Sequence, residues 1–235
     1  MQIAYFATFD NRKNPASRIS ESDKASFIEI VQTIPKLVRA VIFTPEVSYR
    51  MQAIDDMPPQ LIAALYFACL DDLEAALAAD GPLQAIAATK RFPSLTDAFA
   101  TQQAMLSRTF PVPDPVMRSI AGEQPWSYVV TYEGEAENLN HWLGNYLSNH
   151  KKVVAQLPGL RELEICTRID WFGSLPWPRA TCMLRSNVRF DNAAALKAAL
   201  NSPVRLDVRD DFKKFPPYAG GSRHYPMATE LLQRD

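Results

Sequence analysis

The second half of the chain repeats the first at a nearly constant offset of 123 residues, so that Tyr5 matches Tyr128. The match extends through several separated blocks: Thr8 with Thr131, residues 34–37 (IPKL) with 157–160 (LPGL), Phe67 with Phe190, and 73–77 (LEAAL) with 196–200 (LKAAL). A constant offset across such distant blocks is typical of a duplicated structural unit. We therefore expect two similar units joined in one chain.

Hydrophobic periodicity predicts the same order of elements in both halves. In the first half the predicted elements are a strand at 3–9, a helix at 23–34 with Ser22 or Asp23 as N-cap, strands at 37–44 and 60–67, a helix at 71–79 and a strand at 104–110. In the second they are a strand at 128–133, a helix within 135–157, strands at 160–168 and 179–190, a helix at 192–200 and a strand at 222–227. Residues 111–126 are proline-rich and predict a linker between units 1–110 and 127–235.

Strand, helix, strand, strand, helix, strand is the order of a ferredoxin-like βαββαβ unit. Helices cover only one face of such a unit's antiparallel sheet, so its other apolar face must be buried elsewhere. Two units in one chain solve this problem by packing sheet against sheet. The predicted fold is α+β, with two tandem ferredoxin-like units forming an intramolecular dimeric α/β barrel.

Charge and composition exclude several classes of partner. The formal net charge is −1 and no basic stripe is present, so we expect no nucleic-acid partner. No apolar run reaches the roughly 18 residues of a membrane span, so no membrane partner is expected either. The cysteines Cys69, Cys166 and Cys182 are isolated, which fits buried thiols in a reducing, cytoplasmic location.

The helix predicted within 135–157 carries one unexpected residue. His150 recurs with Tyr146 and Leu157 on an otherwise apolar face. One interpretation is a general acid or base with a pKa near neutrality. The other is a core histidine that bonds to a backbone carbonyl or a tyrosine hydroxyl. The repeat places Phe27 at the equivalent position, so the architecture accepts an apolar residue there, which favours a function for His150.

Nearby aromatic residues are candidates for a binding site. Tyr146, one turn before His150, could donate a hydrogen bond to a substrate oxygen, and Trp142 and Tyr146 could line one wall. Tyr128 and Tyr132 share one face of a strand and could line the same cavity. Trp171 lies in the loop 168–178, which is a lid, a subunit contact or a loop tucked under its own prolines. For each residue, plain packing is the alternative.

No pattern indicates a metal or a cofactor. His141 falls on the opposite helical face from His150, so the two cannot share a metal ion, and His224 has no carboxylate partner at ligand spacing. Nucleotide-binding glycine motifs and nucleophile elbows are absent from the sequence. The adjacent acidic pairs at 55–56 and 210–211 are interpreted as solvated surface. We expect neither metal nor cofactor.

The segment 126–228 resembles the EthD family, named for ethyl tert-butyl ether degradation. The resemblance rests on the Trp142-x-x-x-Tyr146-x-x-x-His150 ladder, the LPGLR turn at 157–161, FDN at 190–192 before LKAAL, and DDF at 210–212. It implies the dimeric α/β barrel fold and a loose association with oxidoreductases, with fungal relatives that resemble dehydratases or decarboxylases of polyketide-type aromatics. The first unit departs from the pattern, because Phe27 replaces the histidine.

Together these observations lead to two functional hypotheses. The first is a cofactor-independent enzyme that acts on a small aromatic or polyketide-like oxygenated molecule by proton abstraction, as a dehydratase, isomerase or monooxygenase, with His150 and Tyr146 catalytic. The second is a non-catalytic binding or accessory protein of a degradation pathway that uses the barrel as an apolar container. The ligand is expected to be small and apolar or aromatic, and a homodimer is expected in addition to the fused barrel.

Overall fold

The computed structural model describes residues 1–46, 51–52, 55–118 and 121–233, with the side chain of Thr89 left aside. The linker predicted at 111–126 therefore lies partly outside the described residues, at 119–120.

Eight antiparallel strands close into one barrel in the order β1-β3-β2-β8-β5-β7-β6-β4. The first half contributes β1 (Gln2–Asp10), α1 (Glu21–Thr33), β2 (Leu37–Thr44), β3 (Leu61–Phe67), α2 (Leu70–Leu77), α3 (Gln84–Ala87), two 3₁₀ turns (Thr89–Arg91 and Pro93–Leu95) and β4 (Phe99–Phe110). The second contributes β5 (Trp126–Tyr132), α4 (Leu139–Asn145), a π-helical turn (Tyr146–His150), α5 (Lys151–Val154), β6 (Leu160–Arg168), β7 (Leu184–Phe190), α6 (Ala193–Leu200), α7 (Pro203–Phe212) and β8 (Ser222–Gln233).

The two halves share one pairing register. Ile3 pairs with Phe67 in the first half, and Trp126 pairs with Phe190 in the second, each residue 123 positions later. The register shift in β2 after Leu37 likewise recurs in β6 after Leu160. The predicted fold is confirmed: two tandem ferredoxin-like units pack sheet to sheet as an intramolecular dimeric α/β barrel.

Predicted boundaries fail mainly where the two units meet. The last strand of each unit is longer than predicted, because β4 pairs with β6 and β8 pairs with β2 across the unit boundary. The strand predicted at 179–190 begins only at Leu184. The N-cap of α1 is Ser20, whose hydroxyl accepts from the Asp23 amide. Asp23 itself is buried, where its carboxylate accepts from the amide and hydroxyl of Ser94.

The barrel interior is filled by side chains. Strand residues that point inward form one apolar cluster, which includes Phe6 and Phe43. Beside it lies a buried polar group in which the Glu164 carboxylate accepts from the Tyr66 hydroxyl at 2.7 Å, the Ser107 hydroxyl at 2.6 Å and Arg39 at 3.1 Å. The apolar cluster and this polar group occupy space that the container hypothesis requires for a ligand, and that hypothesis stays a prediction. The helices on the outside instead pack on two further clusters, one per unit.

The helix that carries His150 is not a regular α-helix. Within it the Lys151 amide donates to the Tyr146 carbonyl, five residues back, which widens the helix by one residue at this turn. Its counterpart in the first unit, α1, is a regular α-helix of 13 residues. Such π-helical turns are frequent at functional sites.

No helix in the described part of the chain combines the length and the apolar character that crossing a bilayer requires.

Candidate active site between sheet and helices of the second unit

A cavity of about 430 Å³ lies between the outer sheet face of the second unit and the helices that cover it. Its walls come from β5, β7, β8, the π-helical turn, α5 and the turn after it, α6 and α7, together with one residue of the first unit. The lining residues are Asp56, Tyr128, Val130, Tyr132, Tyr146, His150, Val154, Leu157, Ser186, Val188, Leu200, Arg205, Val208, Arg209, Phe212, Ser222 and His224. Mostly apolar walls with a few converging polar groups are typical of a small-molecule site.

His150 forms part of the cavity wall and is held by a carboxylate. Its side chain is 3% exposed, and its Nδ1 lies 2.8 Å from Oδ2 of Asp211 on α7. An ionised carboxylate only accepts hydrogen bonds, so this contact places the imidazole proton on Nδ1. Among the described residues no hydrogen-bond partner faces Nε2. The imidazole therefore presents an unshared electron pair on the side away from Asp211.

Burial lowers the pKa of His150, and the charge of Arg205 lowers it further. The hydrogen bond and charge of Asp211 act in the opposite direction without reversing the shift. The imidazole is therefore neutral at pH 7. A neutral imidazole with its tautomer fixed by a carboxylate has the arrangement of a general base.

Tyr146 lies against His150, with ring centroids 4.8 Å apart. Burial raises the pKa of Tyr146, whereas hydrogen bonds from Ser186 and Tyr132 lower it. The Tyr146 side chain lines the cavity, where its hydroxyl can donate a hydrogen bond to a ligand oxygen.

The structure brings four of the six predicted site residues together at the cavity: His150, Tyr146, Tyr128 and Tyr132. Trp142 is not at the cavity surface. It is fully buried behind Tyr146, with rings stacked at 5.6 Å, and it supports the wall instead of forming it.

Trp171 belongs to the second unit but packs on the first. It is 9% exposed within the first unit's outer cluster, where its ring meets Tyr5 edge-on at 5.9 Å. Trp177 from the same loop contacts Phe9 at 5.2 Å. The prediction that Trp171 binds substrate with His150 is not met, because its loop crosses to the first unit.

That loop fills the first unit's equivalent of the cavity. Phe27 stands where the second unit has His150, and it contacts Phe92 at 5.5 Å much as His150 contacts Phe215 at 5.2 Å. Aromatic side chains of the loop pack on the same face. The cavity of about 430 Å³ lies in the second unit, where His150 stands in place of Phe27.

A loop of the first unit likewise contacts the second unit. It contains the acidic pair at 55–56, which the sequence predicts to be solvated surface. Asp55 is 3% exposed, and its carboxylate accepts from the Tyr128 hydroxyl at 2.6 Å and from the amides of Met51 and Gln52. The carboxylate of Asp56 accepts from the amide of His224 at 2.9 Å. The surface interpretation of the pair at 55–56 is therefore wrong.

Sequence reasoning also missed Asp211 and Arg205, both on α7. The sequence predicts that the acidic pair at 210–211 is solvated. This holds only for Asp210, whose carboxylate meets Lys213 at 2.8 Å. The sequence of α7 contains one signal for Asp211. In the Asp-Asp-Phe run Phe212 must face the core, so the residue beside it can also point toward the core. Arg205 lacks any local signal, because its role depends on where α7 lies.

The described residues contain no group of three or more His, Cys, Asp and Glu side chains arranged to hold a metal ion. Among the described lining residues, the side chains of the types that commonly ligate metal ions are His150, His224 and Asp56. Burial and the charge of Arg205 lower the pKa of His224, while Asp56 and Asp55 raise it.

No family model and no curated protein matches this chain. Among solved structures, an anthrone oxidase-like protein is similar with a TM-score of 0.61 and 11% identity, over 99% of this chain and 93% of that chain. A candidate monooxygenase from Lactobacillus acidophilus gives a TM-score of 0.57 and 10% identity, over 99% and 97% of the two chains. At these identities the likeness establishes the fold alone.

An EthD family protein from Bacillus halodurans is 19% identical over 47% of this chain and 99% of that chain, with a TM-score of 0.34. This match is too weak to establish EthD membership. The comparisons therefore establish the dimeric α/β barrel fold and no family.

Proposed function

We propose that this protein is a cofactor-independent enzyme of monooxygenase type. In this proposal it abstracts a proton next to the carbonyl of a small aromatic or polyketide-like molecule, and the resulting carbanion reacts with O₂. The observation that carries the proposal is the His150–Asp211 pair, a tautomer-fixed neutral imidazole in the wall of a largely apolar cavity. The proposal is supported by the structural neighbours, which include an anthrone oxidase-like protein and a candidate monooxygenase.

The chemistry follows from the groups present. Nε2 of His150 takes a proton from a methylene activated by a conjugated carbonyl, which leaves an enolate. The enolate carbon bonds to O₂, and return of a proton gives a hydroperoxide. Loss of water converts the C–H and O–OH of that group into a ketone. One O₂ is consumed, one oxygen atom enters the product, and the other leaves as water with the two methylene hydrogens.

The remaining site residues have defined tasks in this scheme. The hydroxyl of Tyr146 donates a hydrogen bond to the substrate carbonyl oxygen, which orients the substrate and stabilises the enolate. Tyr128 and Tyr132 form the aromatic floor from β5. Asp211 fixes the tautomer of His150 and stabilises the imidazolium that forms.

The repeat supports the division of labour between the units. His150, Arg205 and Asp211 correspond at the offset of 123 residues to Phe27, Pro82 and Ala88, none of which titrates. We therefore propose that residues 1–110 are a scaffold unit, 111–126 a connection and 127–235 the functional unit. Membership of the functional unit in the EthD family is part of the same proposal.

The test is oxygen uptake with anthrone and related aromatic ketones as probes. The proposal expects uptake by the wild type that is lost in His150→Phe and strongly reduced in Tyr146→Phe, with the carbonyl product formed in equal amount. His141→Phe is the matched control, because His141 is an exposed histidine of the same helical segment. Uptake that is unchanged in His150→Phe would overturn the proposal. Probe binding without uptake or proton exchange would instead indicate the non-catalytic binding protein.

Cofactor independence has its own readout. The purified active protein is expected to absorb only as its tryptophans and tyrosines do, and to keep full activity after dialysis against a chelator. A visible absorption band that tracks activity during purification would contradict this part of the proposal.

A further inference from the structure

Arg205 is a cation at the cavity that has no carboxylate partner among the residues that the structure describes. Arg205 lies in the first turn of α7 and lines the cavity, half-buried. Two other guanidinium groups of low exposure have carboxylates close by: Arg161 meets Asp191 at 2.8 Å, and Arg39 meets Glu164 at 3.1 Å. Arg185, which is buried, lies instead over the ring of Phe6. No carboxylate of the described residues lies within 4.0 Å of the Arg205 guanidinium.

The charge of Arg205 acts on several groups that surround the same space. It lowers the pKa values of Tyr128, Tyr132, His150 and His224, which reach the cavity from β5, the π-helical turn and β8. In each case burial is the largest cause, and it raises the tyrosine values and lowers the histidine values. Arg205 and these four residues all line the same cavity.

The other charged groups at the cavity do not neutralise Arg205. Asp56 is the only carboxylate among the described lining residues, and it accepts the amide of His224. The Asp55 carboxylate behind the floor already accepts three hydrogen bonds. Arg209, one turn further along α7, also lines the cavity, and its Nε lies 3.9 Å from Oδ1 of Asp210. With both histidines neutral at pH 7, the described lining residues carry two guanidinium groups and one carboxylate.

We propose that Arg205 binds an ionised oxygen of the ligand, so that the cavity selects aromatic molecules with a carboxylate or an acidic phenol over neutral ones. A guanidinium at an apolar, partly desolvated wall binds an anionic oxygen strongly, because both partners are poorly hydrated there. The inference names the substrate class for the proposed function and rests on it. The binding it predicts is measured without turnover.

The test compares 2-naphthoate with 2-naphthamide, which have the same shape and differ by one negative charge. Calorimetry with the wild-type protein is expected to show naphthoate binding at least about ten-fold tighter than naphthamide. Arg205→Gln is expected to remove the preference and leave naphthamide binding unchanged. Arg205→Lys is expected to keep part of it, since it keeps the charge and loses the planar fork.

Lys213→Gln is the matched control, because it removes one exposed positive charge just beyond the end of α7 and outside the cavity lining. It is expected to keep the full preference. Raising the ionic strength is expected to weaken naphthoate binding and not naphthamide binding. Thermal unfolding of each variant shows whether α7 still packs, and the salt series on the wild type tests the claim even where a variant fails to fold.

Equal affinities of the wild type for the two probes would overturn the inference, as would a preference that survives in Arg205→Gln. The outcomes separate the two proposals. A charge preference without proton exchange or oxygen uptake leaves the inference intact and removes the proposed enzyme. His150-dependent turnover without a charge preference does the reverse.

Discussion

Replacing Asp211 with asparagine tests the core of the candidate site without needing a substrate. The hydrogen bond between His150 Nδ1 and the Asp211 carboxylate is 2.8 Å long, and it raises the pKa of a histidine that burial otherwise lowers. Hydrogen bonds to charged groups contribute about 1.5–3 kcal/mol, and one pKa unit corresponds to about 1.4 kcal/mol. Since the Asp211 side chain is 22% exposed, the lower end applies. Asp211→Asn is therefore expected to lower the pKa of His150 by about one unit.

The assay is an NMR titration of the imidazole carbon-bound protons. Variants at His141 and His224 assign the three histidine signals. ¹⁵N shifts of the wild type are expected to show the proton of neutral His150 on Nδ1, whereas Asp211→Asn loses part of this tautomer preference. Asp210→Asn is the matched control, since Asp210 is the preceding residue and pairs with Lys213. A His150 pKa that stays constant or rises in Asp211→Asn would refute the pairing.

Three further outcomes are expected. The free energy of unfolding, measured in urea at several pH values, should fall as the pH drops below about 6.5. The reason is that buried neutral His150 and His224 take up protons less readily than the unfolded chain does. His150→Phe should fold and lose part of this pH dependence, and an unaltered pH profile would contradict the assignment. Glu164→Ala should destabilise the protein by about 3–5 kcal/mol in urea, since it removes the buried carboxylate that pairs with Arg39 and accepts from the hydroxyls of Tyr66 and Ser107. A loss under 1 kcal/mol would argue against the ion group. Trp171→Ala should destabilise the protein by about 3–5 kcal/mol and leave probe affinity at the cavity unchanged. Weaker probe binding with little loss of stability would indicate that Trp171 does contribute to the binding site.

The repeat made the architecture predictable from the sequence. Once Tyr5 and Tyr128 were aligned, the order of elements and the need to bury two sheet faces left few alternatives. The strands at 37–44 and 160–168 were placed to the residue, because alternating apolar patterns depend only on local spacing. His150 was also recoverable, since the repeat supplied Phe27 as an internal comparison.

The parts that failed depend on contacts between the units. The loop containing Trp171 belongs to the second unit and packs on the first, while Asp55 does the opposite and meets Tyr128. No local pattern encodes such an exchange. The π-helical turn at 146–150 escaped notice for a related reason, because a one-residue widening hardly changes a hydrophobic pattern of three- and four-residue steps.

The central claim is that His150 removes a carbon-bound proton from a ligand in the second unit's cavity. It is tested most directly by the exchange of the anthrone methylene hydrogens with D₂O under anaerobic conditions, where the oxygen step cannot proceed. The account predicts exchange that the wild type accelerates above the buffer rate and that His150→Phe does not accelerate, although the variant still binds the probe. Equal acceleration by His150→Phe would contradict the account.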